Sequence, residues 1–392
     1  MNRSHPHAVT ADIVFDGSDV HRDSAVRIEG ERITWIGPRQ ALPAGVPRHE
    51  LPTGCWLAPG FVDAQVNGGG DVLFNDHPDA AGIATVVAAH RRYGTTCLLP
   101  TLISDTSQKM HAALVATRNF PQRAGVLGIH FEGPFLSPSK PGVHPPQMLR
   151  PPAADDLALL TSSAATIKLM TLAPEQVPRG FIANLVGAGV RVALGHSMAT
   201  YVQTKDALKE GLTGFTHLFN AMRPLAARDP GPIAAALECP AAWIGIIVDG
   251  VHVDPAMLRL ALRGKARPML VTDAMPPVGG TRREFHLFGR HVQARGATCA
   301  DDAGTLAGTA LNMAAAVRNC VRLLDVPLSS ALRYASFEPA AFLGLDDCLG
   351  RLAPGFYADM VAFEPHEVRV IGTWLGGGWQ ASSAGAMSCP RP

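Results

Sequence analysis

The sequence predicts a (β/α)8 TIM-type barrel carrying a small β domain built from both chain ends, and three observations predict it. Eight short apolar runs recur through the middle of the chain, each closed by a polar or Gly/Pro turn and followed by a longer Ala/Leu-rich stretch of helical character. The two ends have a different, hairpin-like texture. Acidic and imidazole side chains stand just beyond several of the runs, on the face where barrel strands converge.

The N-terminal β segment comprises Asp12 to Phe15, Ala25 to Ile28 and Arg32 to Ile36, with Gly at the turns. The same texture returns after Pro354, in Ala358 to Phe363 and Val368 to Ile371, so the ends are expected to pair. Residues 1–56 and 354–392 are assigned to the small domain and 57–353 to the barrel. Ala381 to Pro392 is rich in Ser, Gly and Pro and reads as a frayed tail. The eight runs are Gly60 to Asp63, Thr95 to Leu99, Gly125 to Ile129, Ile167 to Met170, Val190 to Leu194, Gly214 to Thr216, Trp243 to Ile247 and Pro268 to Thr272. An open doubly wound sheet is the alternative. Against it, no Gly-x-Gly-x-x-Gly turn follows the first run, and Gly68, Gly69 and Gly70 open no evident helix.

Composition narrows the function. With 392 residues, 47% of them hydrophobic, the chain can bury a large core, and its net charge of +1 with mixed signs points to no nucleic-acid patch. Neither a signal-peptide core nor a bilayer-length apolar run is present. The seven cysteines are scattered without a Cys-x-x-Cys pair, which argues against a disulfide framework and a thiolate zinc site and for a reducing cytoplasm.

The chemistry stands at the strand ends. Glu132 follows the third run, His196 the fifth, His217 the sixth and Asp273 the eighth. One carboxylate and two imidazoles form a ligand set for a catalytic divalent metal, and a further carboxylate beside them suits a general base. Each residue alone has an ordinary reading: a histidine bonded to backbone, Glu132 accepting from loop amides, Asp273 capping a helix. Four at four strand ends favour a site.

These segments resemble the N-acetylglucosamine-6-phosphate deacetylase family of the amidohydrolase superfamily. The resemblance is carried by Pro59 to Gly68, His130 to Phe135, Lys140 to His144, Leu194 to Ser197, Thr216 to Met222, Val248 to His252, Val271 to Met275 and Gly304 to Gly308, with the closing Leu352 to Asp359. It implies metal-dependent hydrolysis of the acetamide of N-acetylglucosamine 6-phosphate. Many amidohydrolases hold a second metal with His-x-His after the first strand, and Gln65 and Asn67 stand at those places here. An amide is a weak ligand, so one metal on Glu132, His196 and His217 is expected: zinc, with iron, cobalt or manganese as alternatives. The ordinary reading of Gln65 and Asn67 is hydrogen bonding to loop backbone.

The resemblance further implies that His144 orients and polarises the acetyl carbonyl. Asn220 and Ala221 resemble the family's substrate-contacting turn, and Leu306, Ala307 and Gly308 its sugar-side loop. Arg228 and His252 suit the phosphate, since a guanidinium presents a fork of donors matched to it. The family places the Arg228 counterpart across a subunit interface, implying a homodimer. Asp229 stands where the family commonly has Glu, and Arg223 where it has Pro; an Arg there could add a phosphate contact or be solvated, the ordinary reading for a lone surface Arg. Other readings are deacetylation of N-acetylgalactosamine 6-phosphate or another N-acyl compound, and an inactive amidohydrolase-fold binding protein. The intact set of Glu132, His196, His217 and Asp273 speaks against the last.

Overall fold

A computed structural model of the chain describes residues 6–121, 123–162 and 166–382. Eight strands form the barrel: Phe61–Val66, Thr95–Ile103, Gly128–Glu132, Ile167–Leu172, Arg191–Leu194, Gly214–Phe215, Trp243–Ile246 and Arg267–Leu270. Each pairs in parallel with the next in chain order. All eight predicted runs overlap these strands, because a barrel strand is covered on both faces and reads as a continuous apolar run. The third strand starts later than its run and ends on Glu132 itself.

Parallel neighbours require a crossover, and a helix supplies it after each of the first seven strands, beginning with Ala80–Arg91 and Ser107–Asn119. Several helices start where a side chain satisfies an orphan amide. Asp79 accepts from the Gly82 N–H, Thr106 from Lys109, Thr200 from Gln203, and Asn312 from Ala315.

The eighth strand departs from the expected pattern. Before its helix, Met313–Leu324, the chain makes a four-stranded antiparallel sheet of Glu284–Leu287, Arg290–Arg295, Thr298–Asp301 and Leu306–Thr309. Leu287, Val292, Ala294, Cys299 and Ala307 form its small core together with Leu73, Ile103 and Met275 at the barrel mouth. Asp273 is therefore not the cap of a following helix. Gly68, Gly69 and Gly70 also open no helix; Gly68–Gly69 pairs with Val72–Leu73 in a short hairpin.

The ends interleave as expected. His7–Phe15 lies between Val20–Glu29 and Trp56–Pro59, and Met360–Glu364 pairs with Trp56–Pro59, followed by Arg369–Leu375 and Gly378–Ala381. The tail predicted to fray, 381–392, falls from 383 onward outside the described residues. No helix among the described residues is long and apolar enough to cross a membrane.

One buried ion pair joins this sheet to the barrel. Arg123 donates to both carboxylate oxygens of Asp359, at 3.0 and 2.8 Å, and the Gly376 N–H donates to the same carboxylate at 2.7 Å. Tyr357 is stacked between the Arg123 and Arg32 guanidinium groups, 3.5 and 3.4 Å from its ring centre. Asp359→Ala would leave the Arg123 cation without its buried partner. Chemical denaturation is expected to show a loss of about 3 kcal/mol, and unchanged stability would remove this pair as the joint.

Candidate metal centre and active site

Strand alternation places His130 and Glu132 on the same, interior side of the third strand, with His130 one layer below. That lower layer is hydroxyl and imidazole. His130 Nε2 lies 2.8 Å from the Thr171 hydroxyl, which lies 2.6 Å from that of Thr216, while His130 Nδ1 faces Thr101 at 3.2 Å. Burial pushes His130 down to about 4, so it is a neutral polar strut beneath the site.

Above it the predicted ligands converge. Glu132 Oε1 lies 2.9 Å from His217 Nε2 and 3.3 Å from His196 Nε2, and the two ring nitrogens are 3.2 Å apart. All three residues are buried, and the three ligand atoms lie within 4.8 Å of one another. The opposite nitrogen of His196, Nδ1, is 2.9 Å from the Lys140 carbonyl. A carbonyl only accepts, so Nδ1 carries the proton and Nε2 presents its lone pair to the common point. Two imidazole nitrogens and one carboxylate oxygen, all aimed inward, fit a divalent metal ion.

His196, His217 and Asp273 all take left-handed backbone conformations, with φ of 48°, 32° and 50°. Such geometry is costly for residues with a Cβ and concentrates at functional sites. It turns each side chain inward at the point where its strand has ended.

Asp273 completes the cluster. Its Oδ1 accepts from Asn67 Nδ2 at 2.6 Å and from Gln65 Nε2 at 3.1 Å, and Gln65 Nε2 also lies 3.2 Å from Glu132 Oε1. The two amides therefore bond to the site's carboxylates, not to loop backbone as their ordinary reading held. Burial, reinforced by the negative charge of Glu132, pushes Asp273 up to about 6.

His144 packs edge-on against His196, ring centres 4.4 Å apart, with its Nε2 3.9 Å from Glu132 Oε2. Its Nδ1 accepts the Ser104 N–H at 3.3 Å and lies 2.8 Å from the Ser104 hydroxyl. An N–H can only donate, so Nδ1 is the acceptor and Nε2–H faces the site. Burial, with the neighbouring His196, holds His144 well below the ordinary histidine range and hence neutral. Ser104 was missed in the sequence, although it directly follows the second barrel strand, the same signal that revealed the other residues.

A cavity of about 350 Å³ opens over this group, lined by Asn67, Glu132, His144, His196, His217, Asn220, Ala221, His252, Asp273, Leu306 and Gly308, with Lys140 and Thr305 among its other walls. Ala307 is buried behind the wall. Gly308 adopts φ +69°, and a Cβ there would come within 2.8 Å of the Asp273 carbonyl, so only glycine permits this loop to close on the site. His252 donates from Nδ1 to Asp249 at 2.6 Å, leaving Nε2 for a ligand; the Asp249 carboxylate also accepts from the Thr298 hydroxyl.

Arg228 is not brought to this cavity within one chain. It is exposed on the loop after Met222. Arg223, read as solvated, instead donates from Nε to Asp229 at 2.6 Å and from its guanidinium to the Met198 carbonyl at 3.2 Å, bracing the base of that loop.

A metal-binding barrel mouth of this kind defines a hydrolase of the amidohydrolase class. Residues 56–381 match the amidohydrolase family, and the chain belongs to it. It is 41% identical over 338 residues to the N-acetylgalactosamine-6-phosphate deacetylase of Shewanella sp. (strain ANA-3), covering 85% of each chain. It is 33% identical over 374 residues to the N-acetylglucosamine-6-phosphate deacetylase of Haemophilus influenzae, covering 94% of this chain and 97% of that one. The crystal structure of N-acetylglucosamine-6-phosphate deacetylase from Pasteurella multocida superposes with a TM-score of 0.93 at 34% identity, covering 96% of this chain and all of that one.

Proposed function

We propose that this chain hydrolyses the acetamide of N-acetylglucosamine 6-phosphate, giving glucosamine 6-phosphate and acetate, with one divalent metal, zinc, held by Glu132, His196 and His217. The observation that carries the reading is the convergence of those three ligands beside Asp273 in one cavity at the barrel mouth. It is supported by the deacetylase relatives named above.

An amide resists attack by neutral water. A divalent ion at these ligands would acidify a coordinated water and polarise the acetyl carbonyl. Asp273, fixed by Asn67 and Gln65, is placed to take the proton of an attacking water. The His144 Nε2–H donates to the oxygen that gains negative charge. Asp273 then returns the proton to the nitrogen of the breaking C–N bond. Asn220, Ala221, Leu306 and Gly308 line the sugar's place.

For the phosphate, His252 offers Nε2 from within the chain. Arg228, exposed and outside its own cavity, is read as reaching a neighbour's site in a homodimer. A cytoplasmic setting accords with the six free cysteines among the described residues. A galacto-configured substrate is the second reading, favoured by the 41% identity to a deacetylase of N-acetylgalactosamine 6-phosphate.

Amine release from N-acetylglucosamine 6-phosphate, its galacto isomer and the unphosphorylated sugar tests the reading. Preferential turnover of the first is expected, with Asp273→Asn keeping its metal and losing nearly all turnover. Preference for the galacto isomer would select the second reading, and activity in Asp273→Asn would exclude it as the base. Arg228→Ala should raise KM for the phosphosugar with kcat little changed; an unchanged KM would remove Arg228 from phosphate binding.

A further inference from the structure

The barrel closes at an unusual seam. Its first and last strands, Phe61–Val66 and Arg267–Leu270, share no hydrogen-bonded ladder; a single bridge joins Val66, at the end of the first, to Ala274, beyond the end of the last. Asp273 sits in this seam in a left-handed conformation, where its N–H donates to the Gln65 carbonyl at 3.0 Å and the Asn67 N–H donates to the Ala274 carbonyl at 2.9 Å. More than this short backbone link braces it.

The surrounding bonds show what does. Asp63, on the first strand and fully buried, accepts the Thr272 hydroxyl at Oδ2, 2.5 Å, and the Thr272 N–H at Oδ1, 3.3 Å. The same Oδ1 accepts the Gln65 N–H at 3.2 Å. Asp63 thereby ties the residue preceding Asp273 to the residue whose side chain bonds to the Asp273 carboxylate. From the other side, the Thr309 hydroxyl donates to the Thr272 carbonyl at 2.7 Å and the Thr309 N–H to the Asp273 carbonyl at 3.0 Å.

We propose that Asp63 and Thr272 form a clamp across the barrel seam that positions Asp273 for proton transfer. Both act as positioning residues, since neither lines the cavity. The inference rests on the reading of Asp273 as the base. A buried carboxyl with no cationic partner among the described residues is expensive for packing alone. Its cost makes sense where two strands must be fixed against each other at the reacting group. Burial pushes the Asp63 carboxyl up to about 7, and the bonds from Thr272 and Gln65 restrain the rise, consistent with a group whose partners are donors.

Shape-matched variants test the clamp. Thr272→Val removes the hydroxyl and Thr272→Ser keeps it; Asp63→Asn is the second probe should the valine variant fail to fold. Thr272→Val is expected to lose roughly 100-fold in kcat, as a small misplacement of a reacting group does, with KM and metal per chain unchanged. Thr272→Ser should restore most of the rate, and Asp63→Asn should show the same loss of kcat at constant KM. Wild-type kcat in Thr272→Val, or a serine variant as slow as the valine one, would overturn the clamp. Asp273→Asn, assayed alongside, separates the two readings. Loss there with full turnover in Thr272→Val rejects the clamp alone, whereas turnover in Asp273→Asn rejects the base and the clamp with it.

Discussion

Two carboxylates, the buried Glu132 and the half-buried Asp273, share one cavity, and among the described residues no guanidinium or ammonium is paired with either. Like charges out of water repel and each raises the other's affinity for protons. The site resolves this by dividing its donors. Glu132 faces His196 and His217, which hold it well below the usual carboxylate range against the pull of burial. Asp273 receives only neutral amides from Gln65 and Asn67 and is pushed up. The proton affinities of the two carboxylates are thus pushed in opposite directions, as the proposed roles of metal ligand and base require.

The fold exists to hold that arrangement. The ligands come from the third, fifth and sixth strands and Asp273 follows the eighth, so no local motif assembles them. Three strained backbone turns aim the side chains inward, and the Thr101–His130–Thr171–Thr216 layer stiffens the floor below. The strand Leu306–Thr309 brings Gly308 against the Asp273 carbonyl and closes one wall of the cavity.

Much of this was legible in the sequence because barrel strands bury both faces and catalytic side chains stand at their C-terminal ends. That rule points to Glu132, His196, His217 and Asp273, which the fold brings together at the barrel mouth, and Ser104 obeys it too. The sheet spanning 284–309 was not read, although Phe285, Leu287, Val292 and Ala294 alternate about Gly289. Its first two strands interleave Glu284, His286, Arg290, His291 and Arg295 with those apolar residues, and the alternation is masked by the polar side chains. The partners of Gln65 and Asn67 were also out of reach. Each bonds to Asp273 more than 200 residues away in sequence, a choice made by barrel closure. Arg223 was read as solvated because nothing local announces its bond to Asp229, which depends on how the loop after Met222 folds back. The position of Arg228 on the surface says where it is not, and its role depends on a second chain.

One metal ion, held by Glu132, His196 and His217, is proposed to suffice for turnover, because the amides of Gln65 and Asn67 are weak ligands for a second. Stripping the protein with a chelator and titrating zinc back while following amine release tests it most directly. The account predicts no turnover in the stripped protein and a linear return that saturates at about one ion per chain. A requirement for a second equivalent, or full activity in the stripped protein, would contradict it.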